Sequence, residues 1–433
     1  MVELQTYFKD LAEKSNETFL QTAIVRSRTH YLTRKEKNLQ KLKNIQEWVK
    51  QLKEIRHATL DRLPELVKEA KQAMEDRGMH VYMAKDGNEA NKIVLDLCKN
   101  WNAKIMVKGK SIASEEIEMN EHLKEHGITA WETDVGALLL QIMNGKAMHP
   151  TGVSIAVPRE IAAKYFSDLA GKELPPDPPT LVAFVREFVR KKVWEADVGF
   201  SGANAITADT GSIYLLTNEG NGRLVTSVPP KHIVLAGIEK VMPNRDAADL
   251  YVKVMPVYTT GADAIIYLSV IGGISTSNDI ERISVYPASG PNEVHVILLD
   301  NGRVALLKDP DFREILTCLK CGACLMECPL WNVVAGYFGE HVYMGGFGTV
   351  LTAFTRGLEA AVTQAFTCTL CGKCKDLCPM GIDIPEMIRK LRQKIVERKI
   401  ALPHEKITLN ARRTLNPYGE PKEKRLEWMR VRV

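Results

Sequence analysis

Cys318-Leu-Lys-Cys321-Gly-Ala-Cys324-Leu-Met-Glu-Cys328-Pro329 and Cys368-Thr-Leu-Cys371-Gly-Lys-Cys374-Lys-Asp-Leu-Cys378-Pro379 hold eight of the nine cysteines of the chain. Both blocks read C-x2-C-x2-C-x3-C-P, the ligand spacing of bacterial [4Fe–4S] clusters. Three thiolates must converge on one cube, so the backbone has to wrap it tightly, and Gly322 and Gly372 fall where that wrap is sharpest. In this motif the fourth cysteine serves the other cluster. Cys318, Cys321, Cys324 and Cys378 are therefore expected to hold one cluster, and Cys368, Cys371, Cys374 and Cys328 the second. Zinc sites favour paired C-x2-C knuckles over four cysteines in one run, and disulfides are rare in a reducing compartment.

The 40 residues from Cys328 to Cys368 are too many for a compact pair of strands. Between them, GYFGEHVYMGGFG reads as a glycine-rich loop and Thr349–Ala365 as a helix, which predicts a helical two-cluster ferredoxin domain. Tyr337, Phe338, Tyr343 and Phe347 are candidates for core packing or for shielding a cluster, and His341 and Arg356 for tuning its potential or for a surface role. The ninth cysteine, Cys98, sits on an apolar helix face with Val94 and Leu97 and reads as a buried, inert thiol.

Upstream, the first 75 or so residues read as helices, with Leu39, Leu42, Ile45, Trp48, Val49, Leu52 and Ile55 at helical spacing. From about residue 79 the pattern alternates. Strands are expected at His80–Ala84, Ala103–Val107, Ile128–Glu132 and Val153–Val157, with helices at Glu89–Asn100, Ser114–His126, Gly136–Met143 and Arg159–Leu169. Further strands are expected at Ser212–Leu216, His232–Ala236, Ala264–Leu268 and Glu293–Leu299. Such βαβα alternation predicts an α/β domain with a mainly parallel sheet. The expected organisation is 1–75 helical, 76–305 α/β, 306–395 cluster-binding and 396–433 a basic tail.

Composition bounds the rest. At 433 residues, with 45% apolar and 26% charged, the chain is an ordinary globular one with room for large cores, not a disordered or disulfide-stapled one. The net charge of +5 is too small to suggest a nucleic-acid partner. From residue 381 onward there are 14 basic and 7 acidic residues, so the tail carries +7 and the rest about −2. That tail suits a solvated helical face, an acidic partner or peripheral contact with an anionic membrane. No uncharged run reaches the ~18 residues of a spanning helix. The opening MVELQTYFKDLAEKSNETF lacks the apolar core of a signal peptide, so the expected location is the cytoplasm.

Candidate chemistry in the α/β part is sparse. Thr217 leads into Asn218, Glu219, Gly220, Asn221, Gly222 and Arg223, a loop after a strand whose amides and arginine suit an anion, or which is a tight structural turn. Lys108-Gly-Lys-Ser111 before a helix is either an anion site or a cap with solvated lysines. Glu132 and Asp134 form a carboxylate pair without an adjacent base or nucleophile; Asp209-Thr-Gly211 reads as a turn, and His149 and His232 as structural histidines. No nicotinamide or flavin motif is present, and catalytic residues stay unassigned.

The ordered set Lys110–Ile117 (KSIASEEI), Glu132–Gly136 (ETDVG), Thr217–Arg223 (TNEGNGR), His232–Pro243 (HIVLAGIEKVMP), Gly290–His295 (GPNEVH) and Leu298–Arg303 (LLDNGR), followed by the two cysteine blocks, resembles the lactate utilisation protein B family. The resemblance covers about residues 60–390. It implies an α/β LUD domain, similar to the sugar-phosphate isomerase and CoA-transferase group, ahead of the cluster domain. It also implies a cytoplasmic iron–sulfur electron-transfer subunit of an oxidoreductase complex that oxidises L-lactate to pyruvate. The partners implied are a cysteine-rich iron–sulfur protein and a smaller LUD protein. The stretch around residues 334–348, the N-terminal helices and the basic tail depart from the family pattern. They leave room for another redox assembly, electron-transfer-flavoprotein-linked or heterodisulfide-reductase-like, or for a redox- or metabolite-sensing module.

Overall fold

Strand Glu293–Leu299 shows how the larger domain is organised. Its alternate residues Val294, Val296 and Leu298 enter one apolar core, while Ile297 and Leu299 enter another. A strand buried on both faces belongs in the middle of a sheet covered on both sides. In the computed structural model, which describes residues 4–339, 342–400, 405–416, 419–421 and 423–424, it does. His341 lies outside the described residues, as do residues 401–404, 417–418, 422 and 425–433 of the basic tail.

The chain opens with three helices, α1 (Leu4–Ser15), α2 (Thr18–Lys41) and α3 (Ile45–Glu75). The strands are β1 (His80–Ala84), β2 (Ile105–Lys108), β3 (Thr129–Glu132), β4 (Val198–Ser201), β5 (Ala205–Thr207), β6 (Ile213–Thr217), β7 (Lys231–Gly237), β8 (Val241–Met242), β9 (Tyr267–Ile271) and β10 (Glu293–Leu299). Six form one sheet in the order β1-β10-β7-β4-β2-β3, with every pair parallel. Its register sets Val296 beside Val81 on one side and Val234 on the other. A smaller sheet, β8-β5-β6-β9, is mixed.

One face of the large sheet is covered by the second half of α3, through Leu63, Leu66, Val67, Ala70 and Met74. The other is covered by the helix Gly87–Asn100, where Val94, Leu95 and Cys98 are buried. Burial pushes the Cys98 thiol up to about 12, in keeping with an inert group. α2 and α3 also tie the sheet domain to the cysteine-rich part. Arg28 donates to the Met326 carbonyl (2.8 Å), and Arg56 donates to the carbonyls of Glu239 (2.9 Å) and Leu316 (2.6 Å). The N-terminal helices thus pack on their own chain.

Several expected elements are corrected. Val153–Val157 is a series of turns, not a strand. The helix expected at Ser114–His126 is two, Ile112–Glu116 and Met119–Glu125, with Glu118 left-handed between them. The strand expected at Ala264–Leu268 starts at Tyr267. Thr349–Ala365 is likewise two helices, Gly345–Thr355 and Leu358–Thr367, parted by Gly357 at φ +97°. The first of these takes in Gly345, Gly346 and Gly348, so the glycine-rich stretch is partly helical. Among the described residues no helix is long and apolar enough to cross a membrane.

Candidate functional site

The two cysteine blocks fold alike. Lys320 and Leu370, the second residue after the first cysteine of each block, have φ of +56° and +57°, and Gly322 and Gly372, just after the second cysteine, have φ of +77° and +86°. These left-handed residues turn the chain so that the sulfurs face one side. Backbone amides then point at sulfur, as Lys320 N does at Cys318 Sγ (3.3 Å).

The sulfurs gather in two sets. Cys318, Cys321, Cys324 and Cys378 line one small cavity with Phe347 and Ile384. Burial raises the Cys321 thiol to about 12 with Cys318 as its strongest charge neighbour, and Cys378 to about 11, again beside Cys318. Cys374 is raised to about 12 by burial and by Cys368, Cys328 and Cys371. Cys328 feels Cys368 and Cys371. Crowded thiols that resist ionisation in the bare protein suit a cationic metal centre, which stabilises the thiolates it binds. The donor set of each group fits a [4Fe–4S] cluster: four sulfurs, and amides aimed at them.

The first block is pressed against the sheet domain. A Cβ at Gly322 would lie 2.3 Å from His149 Nε2, which is instead 3.3 Å from the Gly322 carbonyl oxygen. Trp331 donates to the Met148 carbonyl (2.9 Å). Lys320, between two cluster cysteines, enters a buried charge network. Its ammonium donates to Glu239 Oε1 (2.8 Å) and Tyr343 Oη (3.2 Å), and Tyr343 donates to Glu116. Arg303 forks onto Glu116 (2.9 and 2.8 Å) and also binds Glu239. Burial alone would raise Glu239, but Arg303 and then Lys320 hold it well below the usual carboxylate range.

Of the four aromatics expected near the clusters, Phe347 lines the first sulfur cavity and Tyr343 binds Lys320. Phe338 is buried in the core, and Tyr337 sits under Lys14 and Lys146. Arg356 pairs on the surface with Glu118 (2.8 Å).

A second cavity, of about 300 Å³, opens at the carboxyl ends of β2, β4 and β7, where ligands of open parallel sheets bind, and is flanked by the end of β6 from the smaller sheet. Asn218, Glu219, Asn221 and Gly222 line it, with Lys110, Asp134, Tyr251 and Lys240; Leu319 and Lys320 of the first cysteine block lie in its wall. Gly220 and Arg223 do not line it. Gly220 packs by Tyr267, and Arg223 stacks on that ring at 5.0 Å and donates to the Leu268 carbonyl (3.3 Å). Gly222 also has a packing reason, since a Cβ there would meet Thr217 at 2.5 Å. Burial, then the neighbouring Asp134, raises Glu219.

Lys108 is not a solvated lysine: it is buried between Glu115 (2.7 Å) and Glu132 (2.5 Å). Ser111 caps the following helix, and Asp134 caps Val135–Met143 while pairing with Lys110 (2.9 Å). His232 is buried against the Ser201 hydroxyl (2.9 Å). Sequence reading gave no role to Glu239, Lys240 or Tyr251. The first two lie inside the HIVLAGIEKVMP segment and have no local motif; Tyr251 is brought in by the helix Arg245–Thr259. Burial, then the Lys320 ammonium, lowers Lys240 to about 7.

The LUD domain family matches residues 67–299 and the 4Fe-4S dicluster domain family residues 314–382. Proteins named lactate utilization protein B from Bacillus thuringiensis (strain Al Hakam), Bacillus cereus (strain AH187) and Bacillus anthracis (strain A0248) are each 33% identical over 387 residues, 89% of this chain and 80% of theirs. A solved DUF162 family protein from Deinococcus radiodurans aligns with 55% of this chain and 98% of its own at 12% identity, with a TM-score of 0.30, too low for a shared fold to be read from it.

Proposed function

Because the chain belongs to the lactate utilisation protein B family, with an α/β LUD domain ahead of a domain for two [4Fe–4S] clusters, we propose that it is the electron-carrying subunit of a cytoplasmic complex that oxidises L-lactate to pyruvate. Each cluster, when bound, takes up and gives out one electron at a time. Cys318, Cys321, Cys324 and Cys378 hold the first, and Cys368, Cys371, Cys374 and Cys328 the second. The observation that carries this reading is the gathering of sulfurs from both blocks, with Cys378 of the second block lining the cavity of the first.

The residues of this chain hold, insulate and orient. Phe347 and Ile384 keep water from the first site. Lys320, fixed by Glu239, sets a positive charge between two of its ligands. Cys371 is exposed, which puts the second site within reach of an acceptor protein. Lactate oxidation releases two electrons and two protons, so a centre able to take hydride or protons is needed beside one-electron carriers. We assign that centre to a partner: the cysteine-rich iron–sulfur protein or the smaller LUD protein of such a complex. The basic tail is a candidate contact for either partner or for a membrane surface.

The test is an anaerobic titration of the native complex with L-lactate, followed by visible absorbance. Bleaching of the iron–sulfur band, reversed by an oxidant, is expected. No bleaching, while dithionite still reduces the clusters, would place the protein in a different redox assembly.

A further inference from the structure

The cavity at the carboxyl ends of the parallel strands contains polar groups that the fold does not satisfy. Lys240 has no hydrogen bond or ion pair among the described residues. Its neighbour Glu239 lends it a favourable charge but makes its side-chain hydrogen bonds to Lys320 and Arg303 instead. Among the described residues the Tyr251 hydroxyl, buried beside the Asn204 side chain, makes no hydrogen bond within ordinary limits, and neither does Thr217 Oγ1. All three residues line the same space. Leaving buried polar groups unpaired is costly, and a half-buried ammonium without a hydrogen-bonded partner readily accepts an anion. A few unpaired polar groups converging on a largely apolar cavity are the usual mark of a ligand site.

We propose that this cavity binds a small organic monocarboxylate, held by Lys240 Nζ and Tyr251 Oη. Among the described residues of the lining, Lys110 pairs with Asp134 and Lys320 with Glu239, so Lys240 is the cation left over and calls for one negative charge. Asp134 and Glu219, elsewhere in the lining, disfavour a second anionic group and would accept a hydrogen bond from a hydroxyl. A multiply charged phosphate ester therefore fits less well. The volume of about 300 Å³ gives room for an acid larger than a three-carbon one. With Leu319 and Lys320 in the wall, the ligand would lie against the loop between Cys318 and Cys321. Its redox role, though not its binding, rests on the electron-carrying reading above.

The experiment is anaerobic calorimetry on the cluster-loaded protein with pyruvate, L-lactate, lactamide and inorganic phosphate as separate probes. Iron content and visible absorbance are checked for every variant. Pyruvate or L-lactate should saturate a single site, and lactamide, which lacks the charge, should not bind. Lys240→Met should weaken carboxylate binding roughly 30-fold, as loss of a charge-assisted hydrogen bond does, and Lys240→Arg should restore part of it. Tyr251→Phe should weaken it roughly 5-fold. If Lys240→Met loses iron, Tyr251→Phe decides, and unchanged affinity there overturns the site. Tighter binding of phosphate than of either carboxylate, no carboxylate binding at all, or wild-type affinity in an iron-replete Lys240→Met protein would also overturn it. A protein that binds pyruvate while L-lactate fails to reduce the clusters of the native complex would keep the site and remove the electron-carrying reading instead.

Discussion

The two cysteine blocks share their spacing and their backbone turns but not their surroundings. In the first, Cys321 is buried, Gly322 is backed by His149, and Lys320 is locked to Glu239. In the second, Cys371 is exposed, no described residue lies within 4 Å of where a Gly372 Cβ would stand, and Lys375 pairs with Asp383 on the surface. Spacing alone is enough to wrap a metal centre. The neighbours decide whether that centre faces the interior of the protein or an outside partner.

The strongest way to break this comparison is to remove one ligand from each block. Cys371→Ser should lose or convert the second cluster while the sheet domain stays folded and the first cluster stays in place. Cys321→Ser should also loosen the network through Lys320, so the thermal transition of the sheet domain should fall as well. Equal losses of iron with equal effects on the fold would mean that the surroundings do not matter.

The charge network gives the next largest difference. Arg303→Met leaves Glu116 and Glu239 without their shared cation in a buried site, which should cost about 3–5 kcal/mol in denaturant unfolding. Lys375→Met, in the exposed pair of the second block, should leave the unfolding curve unchanged. A sharper, smaller effect is electrical. Lys320→Gln removes a positive charge beside the first cluster and should lower its midpoint potential by on the order of 60 mV, with the second cluster unmoved in the same potentiometric titration.

The smallest effect lies away from both blocks. Burial pushes His232 down to about 3, so it stays neutral in the folded protein where the unfolded chain takes up a proton. A folded value below the unfolded one means that this contribution is present above the unfolded pKa of about 6.5 and is lost as pH falls, by about 1.4 kcal/mol per pH unit. Stability measured between pH 7 and 5 should fall less steeply in His232→Asn than in the wild type.

How far the sequence was legible follows the range of the forces involved. Strands His80–Ala84 and Glu293–Leu299 were read at their observed ends, because short apolar runs bounded by turn residues leave few alternatives. Val153–Val157 has the same local look but folds as turns, and Ile155 and Ala156 pack against the core of the cysteine-rich part. A long-range contact overrode a local preference there. Gly357 was the overlooked break in the helix between the blocks. Within the candidate cavity, the loop after β6 was visible because its residues, Asn218 to Gly222, follow one another in sequence. Lys240, Tyr251 and Lys320 come from separate parts of the chain, and only folding brings them to one space. Arg223 showed the reverse: it is next to that loop but turned to Tyr267.

The measurement that bears most directly on the central claim is freeze-quench electron paramagnetic resonance of the native complex after mixing with L-lactate. Two reduced cluster signals should grow in at least as fast as the complex turns over, and both should be missing or altered in Cys321→Ser and Cys371→Ser, one in each. Signals that fail to appear, or that appear more slowly than turnover while dithionite reduces both clusters, would contradict a role for this chain in carrying the electrons of lactate oxidation.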